Sequence, residues 1–225
     1  FTPDFGSGIS VIKTLALLDG TLVSEIDLAT AYPENSYRLA AESRDQQFLL
    51  LFRPPVADSD ASQNPQPSIL IVDTSAGTAK PLQNAERLSP YLPTTFSPSG
   101  STFLLWDSQS RTMTAFRSSN GSALFSRAAS SPIAAFAHDG HALYLPAPQE
   151  GAINVLDPET GQPTKIDDLP FASAITTLAA SPDGKFLAAT TRDTAFQIDL
   201  QTEAASNFPI LDAPYLGITF SHDSQ

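Results

Sequence analysis

An all-β chain is expected from this sequence: a β-propeller of four-stranded antiparallel blades, about five of them present. Three features lead there. A turn signature recurs as Phe96-Ser-Pro-Ser-Gly100, Phe136-Ala-His-Asp-Gly140, Ala180-Ser-Pro-Asp-Gly184 and Phe220-Ser-His-Asp-Ser224, its starts 40, 44 and 40 residues apart. A second landmark, an apolar stretch ending in Asp and a turn, keeps step with it at Ile71-Val-Asp-Thr-Ser-Ala-Gly77, Val155-Leu-Asp-Pro-Glu-Thr-Gly161 and Ile198-Asp-Leu-Gln-Thr202. Pro and Gly punctuate the runs between landmarks too often for helices of about 10 residues or more. Four short strands in roughly 40–45 residues is the make-up of one propeller blade.

The elements can be justified in chain order. Lys13-Thr-Leu-Ala aligns with Lys185-Phe-Leu-Ala, and Ile26-Asp-Leu-Ala-Thr30 reads as a copy of the second landmark. The opening segment is therefore expected to supply the second and third strands of a blade. A degenerate first landmark follows at Glu42-Ser-Arg-Asp-Gln46, its Ser43 lying 54 residues before Ser97. The surplus falls in 53–67, RPPVADSDASQNPQP, a long inserted loop that is polar, Pro-rich and without periodicity. Second strands are expected at 48–52, 103–106, 142–145 and 186–190, and third strands at segments such as 68–73 and 195–199. Fourth strands fall at 123–127 and 163–167, and first strands at 133–137, 175–180 and 216–220. Ala115-Phe-Arg-Ser-Ser-Asn-Gly121 is the second landmark with Arg117 at the Asp position.

Turn chemistry accounts for the punctuation. Asp-Gly and Ser-Gly suit the positive φ of tight turns, and an Asp closing a strand can accept N–H bonds from the turn after it. Small pairs before the signatures, Ala40-Ala41, Ala134-Ala135 and Ala179-Ala180, suit innermost strands around a channel. Residues 1–225 thus read as one propeller domain or propeller fragment. A lone first strand over 215–221 could complete the N-terminal blade and close a five-blade ring; a fragment of a roughly seven-blade propeller fits as well and is favoured.

Composition limits the partners. The 225 residues hold 24 Asp+Glu against 12 Lys+Arg, a formal net charge of −12. That argues against nucleic acid, whose backbone calls for a basic surface, and against docking on anionic membranes. With no Cys there are no disulfides, thiolate zinc sites or Cys nucleophiles. No apolar run approaches the 18 residues or so of a membrane span. The chain starts at Phe1 and so reads as a processed product or an excerpt. Low Lys, absent Cys and abundant Ser, Thr, Ala and Pro lean towards a periplasmic or secreted setting, and a cytoplasmic one is compatible.

Ser181-Pro-Asp-Gly-Lys-Phe-Leu-Ala followed by Phe196-Gln-Ile-Asp-Leu-Gln-Thr resembles the repeats of WD-repeat-like propellers. It is especially similar to the bacterial YVTN-type and quinoprotein-like branch, with its Val-Ile-Asp-x-x-Thr-Gly turn. The resemblance runs from about residue 13 to 223 and implies architecture, with almost nothing about activity. True WD repeats open on Gly-His and close a third strand on Trp-Asp. Here no Gly-His dipeptide opens a blade, and Trp106-Asp107 ends a second strand, so that family's Asp–His–Ser/Thr–Trp network does not carry over.

Chemistry-bearing residues are sparse. His138, His141 and Asp139 are the one set with metal-ligand chemistry, and His222 repeats the His138 position. Replacement of a turn Pro by His explains them more simply. The adjacent acids Asp167 and Asp168 fit a solvated turn, and no Gly-x-Ser-x-Gly elbow or phosphate loop occurs. No catalytic, metal or cofactor-binding residue is assigned, and no cofactor is expected. Loops between second and third strands share one face: 53–67, 107–112, 146–151 and 192–194. Arg53, Asp58, Asp60, Trp106, Asp107, Arg111 and Arg192 make it the candidate partner-binding face, Trp and Arg being enriched at interface hot spots. The alternative place for Trp106 is half-buried between blades. The expected function is a non-catalytic scaffold for protein–protein interaction within a larger chain or multi-subunit assembly. The alternative is a small-molecule or metal-handling propeller, lactonase-like or quinoprotein-like, with a site in the channel.

Overall fold

The computed structural model describes residues 9–16, 18–32, 37–53, 68–83, 95–147, 152–168, 174–192, 194–209 and 217–221. Its strands form five antiparallel sheets, each a run of chain neighbours. The first holds β1 (Val11–Leu15) and β2 (Leu22–Asp27), followed by the four-residue helix α1 (Leu28–Ala31). The second holds β3 (Arg38–Glu42), β4 (Phe48–Phe52), β5 (Ile69–Asp73) and β6 (Thr78–Pro81). In the third, β7 (Thr102–Asp107), β8 (Thr112–Arg117) and β9 (Ala123–Ala128) are joined by a single bridge from Phe96 to Phe103 where a first strand would lie. The fourth comprises β10 (Ala135–Phe136), β11 (Leu143–Pro146), β12 (Ala152–Leu156) and β13 (Pro163–Asp168). The fifth comprises β14 (Thr177–Ala180), β15 (Phe186–Thr190), β16 (Thr194–Asp199) and β17 (Ala205–Pro209).

Successive residues of a strand face opposite sides, and here both sides are covered. From the second sheet, Phe48, Leu50, Phe52, Ile69 and Ile71 pack on Phe103, Leu105 and Phe116 of the third. The residues between them, Leu51, Leu70 and Val72, turn the other way and meet Ile26 and Leu28. Leu104, Trp106 and Met113 of the third sheet meet Leu143, Leu145 and Leu156 of the fourth. Tyr144, Ile153 and Val155 in turn meet Leu187, Phe196 and Ile198 of the fifth. Four apolar layers thus follow one another in chain order, which is why β4 and β7 read as continuous apolar runs instead of alternating ones. The small residues Ala40, Ala41 and Ala180 sit half-buried on the first strands, at the inner edge of their sheets.

The opening hairpin departs from expectation. Ala16 N donates to Thr21 O (2.8 Å) and Gly20 N to Ala16 O (2.9 Å). The turns between third and fourth strands do the same: Asp157 N to Gln162 O (2.9 Å) with Gly161 N to Asp157 O (2.8 Å), and Asp199 N to Ala204 O (2.9 Å) with Glu203 N to Asp199 O (2.8 Å). The strand register also slips at the same place, between Thr14 and Leu15 as between Ala115 and Phe116 and between Val155 and Leu156. β1 and β2 are therefore third and fourth strands, a correction to their expected place as second and third. The misleading motif was Ile26-Asp-Leu-Ala-Thr30. Asp27 caps α1, its carboxylate accepting from Thr30 N (3.0 Å) and Thr30 Oγ1 (2.6 Å), and that local bonding imitates the Asp turn of the repeat.

Residues 217–221, expected as a first strand, form no strand, and among the described residues no pairing joins the first sheet to the fifth. Closure of a five-blade ring, the arrangement weighed against the favoured fragment, is thus not seen among the described residues. Residues 54–67 of the inserted loop, with Asp58 and Asp60, lie outside the described residues, as does His222.

Gly161 shows how closely the sheets stack. Its φ is +67°, and a Cβ placed on it would lie 2.4 Å from Cγ of Phe125 on the preceding sheet. Gly140 has a φ of +76° with open space around it. Gly140→Ala should cost about 1 kcal/mol for the left-handed backbone alone. Gly161→Ala should cost about 2–4 kcal/mol, because overpacking adds to that penalty. Urea unfolding of both variants checks the difference, and adding Phe125→Ala to Gly161→Ala should shrink it.

Candidate binding surfaces

An antiparallel meander puts its first-to-second and third-to-fourth turns at one end. Its second-to-third loops and the connections between sheets share the other. The loop end carries the candidates named from sequence. Trp106 is only 6% exposed and belongs to the layer between the third and fourth sheets, so its indole is core. Asp107 is buried at the end of β7, where Oδ1 accepts from Gln109 N (2.8 Å) and Oδ2 from Ser110 Oγ (2.7 Å). Four residues after Asp107, Arg111 is exposed and holds a φ of 53°, the position that Gly161 holds in its own turn. Arg192 is exposed beyond β15. Arg53 is half-buried after β4, and its N–H donates to Ser68 O (2.8 Å). Burial pushes the Tyr37 hydroxyl up to about 12, with the nearby Arg53 charge opposing it. Asp107 and Arg111 therefore share one turn, while Arg53 and Arg192 extend from separate sheets.

At the turn end, carboxylates organise the backbone. Asp45 Oδ1 accepts from Ser43 Oγ (2.6 Å) and Gln47 N (3.1 Å), while Ser43 Oγ receives Phe48 N (2.9 Å). Ser181, Asp183, Lys185 and Phe186 repeat this at 2.7, 3.1 and 2.9 Å, so the degenerate signature around Ser43 folds like the regular one. The Ser43 hydroxyl draws the Asp45 carboxyl below the usual carboxylate range, and Ser181 does the same for Asp183. Backbone N–H groups of Thr160 and Thr202 are the leading cause of the same depression at Asp157 and Asp199. Carboxylates held this way stay ionised at neutral pH and have no proton to donate.

His138 and His141 diverge. His138 lines a cleft described below, whereas His141 lies close enough to Asp157 for its charge to add to that depression. His141 N donates to Asp139 Oδ1 (2.9 Å), which is turn bonding. Among the described residues no three His, Cys, Asp or Glu side chains gather as a metal site would require. Asp167 and Asp168 end β13 opposite Ile153 and Ala152, on a strand where a turn was expected.

A cleft of about 390 Å³ opens where the first strands of three sheets approach one another. Glu42 and Arg44 line it from the second sheet, Phe96 and Pro98 from the third, Phe136 and His138 from the fourth. Arg44, Pro98 and His138 occupy one column of the repeat, directly before Asp45, Ser99 and Asp139. The sequence reading passed over this cleft, although Arg44 and His138 stand where Pro98 and Pro182 keep the pattern. It also missed a patch on the first sheet. Five of the six exposed large apolar side chains among the described residues lie on the β1–β2 hairpin. Of these, Val11, Leu15, Leu22 and Val23 are 38–65% exposed, and Leu18 sits fully exposed in the turn.

No protein-family model and no curated protein matches the chain. Solved structures do, with 991 matching chains, which makes the architecture a common one. One of them is the hydrazine synthase of Kuenenia stuttgartiensis, a β-propeller-containing protein. It shares 19% sequence identity at a TM-score of 0.51, over 64% of this chain and 44% of that one. The present chain therefore spans less than half the length of that relative. At this identity the likeness concerns fold alone. Together with the repeated four-stranded antiparallel sheets, it fits the chain to a β-propeller-like architecture.

The turn carboxylates predict how stability responds to acid. Their pKa values are depressed in the folded chain and ordinary when unfolded, so near pH 4 the unfolded state binds more protons. Their contribution is complete above the unfolded value and is lost as pH falls through the lower folded one. The urea midpoint should therefore decline below about pH 4. In an Asp45→Asn, Asp183→Asn double variant the decline should be shallower, as measured by a pH series of unfolding curves.

Proposed function

We propose that this chain is a non-catalytic, acidic β-propeller scaffold of the WD-like, YVTN-type kind that binds a protein partner. The observation that carries the reading is the apolar patch of the first sheet. Val11, Leu15, Leu22 and Val23 are all exposed on this hairpin, Leu15 directly opposite Leu22, while the corresponding strands of the second to fifth sheets send most such side chains inward. Apolar groups clustered on one element of a soluble protein mark an interaction surface more often than chance exposure. The turn-end carboxylates give the same direction, being occupied by hydrogen bonds instead of paired for acid–base work. At the loop end, Arg53, Arg111 and Arg192 offer further points of contact. Assembly with other subunits follows from this reading, as does indifference to nucleic acid. No helix is long and apolar enough to cross a membrane among the described residues.

A small-molecule reading has one observation in its favour, the cleft joining Arg44, His138 and Glu42 with the rings of Phe96 and Phe136. The Arg44 guanidinium beside aromatic walls suits an anionic ligand with an apolar body. The two readings separate on the purified chain. For a scaffold, Leu15→Lys with Leu22→Lys should weaken capture of an identified partner at least tenfold at unchanged melting temperature. Arg44→Ala with His138→Ala should leave that capture intact. Stoichiometric metal by elemental analysis, or quinone in the absorbance spectrum, would sink the scaffold reading.

A further inference from the structure

We infer that the cleft between the first strands of the second, third and fourth sheets binds a small aromatic monocarboxylate, its charge on Arg44 and its ring against Phe96 and Phe136. The inference rests on the ligand reading of that cleft and narrows it to one chemical class. A ligand there asks for no catalytic group, so the scaffold reading stands beside it.

Two columns of the repeat build the cleft. Glu42, Phe96 and Phe136 stand directly before Ser43, Ser97 and Ala137, and Arg44, Pro98 and His138 stand directly after them. The fifth sheet shows what the fold alone asks of these columns. There Ala180 and Pro182 flank Ser181, a small residue and a Pro suited to the first central position of a turn. The two kinds of turn close alike, with Gly184 N donating to Ser181 O (3.0 Å) and Gln46 N to Ser43 O (2.8 Å). A guanidinium, an imidazole, a carboxylate and two rings are thus more than the turns need, and they converge from three sheets. All six side chains belong to described residues of consecutive sheets, away from either end of the chain.

The charged groups are also unengaged. The side-chain ion pairs among the described residues join Lys13 to Glu25 and Lys185 to Asp183. Among those residues no ion pair or hydrogen bond holds the side chains of Glu42, Arg44 or His138, although Glu42 and Arg44 are two residues apart. A guanidinium presents five N–H donors in a planar fork and no acceptor, which matches a carboxylate or a phosphate.

The surroundings choose between those two. Phosphate sites gather several cations or a run of free backbone N–H groups. Here Arg44 is the one lining residue with a permanent positive charge, and Glu42 lines the same cleft. The N–H groups of Gly100 and Gly140 are already given to Ser97 O (2.8 Å) and Ala137 O (2.9 Å). A single negative charge therefore fits better than two or three. Phe96 and Phe136 are half-buried, and their open faces and edges suit a second aromatic ring. Glu42 accepts from a hydroxyl group, and a neutral imidazole at His138 offers one donor and one acceptor. At about 390 Å³ the cleft lies near the small end of ligand sites, roughly 300–1,000 Å³, which suits a single-ring acid.

The probes are para-hydroxybenzoate and para-hydroxyphenylpropanoate, titrated into the full 225-residue chain by calorimetry, with phenol and inorganic phosphate as comparison ligands. One-to-one binding of at least one acid is expected with a Kd below about 1 mM. Phenol and phosphate should bind at least tenfold more weakly. Arg44→Pro with His138→Pro, which copies the turn of the fifth sheet, should weaken acid binding at least tenfold at an unchanged or raised melting temperature. Arg44→Gln alone should bring a loss of the same size without any change of backbone. Arg117→Ala, an exposed arginine at the same end of the third sheet, should have no effect. Absence of saturable binding by both acids, or binding that survives Arg44→Gln, overturns the inference. Phosphate binding tighter than either acid and lost in Arg44→Gln overturns the monocarboxylate class while the anion reading of the cleft stands. Absence of binding by every anion sinks both, so the two failures are distinguishable.

Discussion

Stacking the inner sheets between two others is the constraint on which the rest of the molecule depends. A strand in such a stack must be apolar on both faces, so Leu50 and Leu51, adjacent in sequence, serve opposite layers and are both fully buried. Polar groups are then driven to the strand ends, where backbone N–H and C=O leave the ladder and need partners. The Asp and Ser residues of the turns supply them. Core and turns are thus one solution seen at two places, and a composition low in charge yet rich in Ser, Thr, Asp and Pro follows from it.

The same constraint explains why the end of the stack is the informative place. A layer is complete only when both its sheets have their full strands, and among the described residues the first sheet has two against the second sheet's four. Half-burial of Ile12 and Leu49 is then one fact read from two sides of a layer, whereas Val11 and Leu15 alternate with Ile12 and face away from it. The fifth sheet differs, since Phe208 is its one exposed large apolar side chain among the described residues. Its outer face carries Gln197 and Ser206 opposite one another, polar enough to meet water.

Much of the architecture was legible because its signals are local. Runs such as 48–52 and 186–190 declare two-sided burial residue by residue, and β4 and β15 begin and end where expected. What escaped was relational. From sequence, Trp106 had two places open, a surface anchor beside polar Asp107 and Arg111 or a position between blades, and β7 is buried along its whole length. The cleft needed Arg44 and His138, 94 residues apart, to be brought together by the stacking of three sheets, and no local pattern encodes that. Pairing across the first and fifth sheets is likewise a property of closure, which no single repeat can announce.

The misplaced opening hairpin shows how far the turn motif can be divided. A third-to-fourth turn normally has Asp at its first position and Gly at its last, as at Asp157 and Gly161. At Ala16 to Gly20 the first Asp is gone, and Asp19 within the turn accepts from Thr21 N (3.0 Å) instead. At Asp199 to Glu203 the Gly is gone, and Glu203 takes a φ of 61°. Gln46 likewise takes a φ of 59° where the regular signature has Gly184. A left-handed residue other than Gly costs on the order of 1 kcal/mol, less than the packing of the two sheets that the turn joins. Tertiary packing can therefore enforce the turn when either half of its motif is missing. An Asp-x-x-Thr helix cap such as Asp27 to Thr30 then matches the surviving half as well as a true turn does, and only the hydrogen bonds tell them apart.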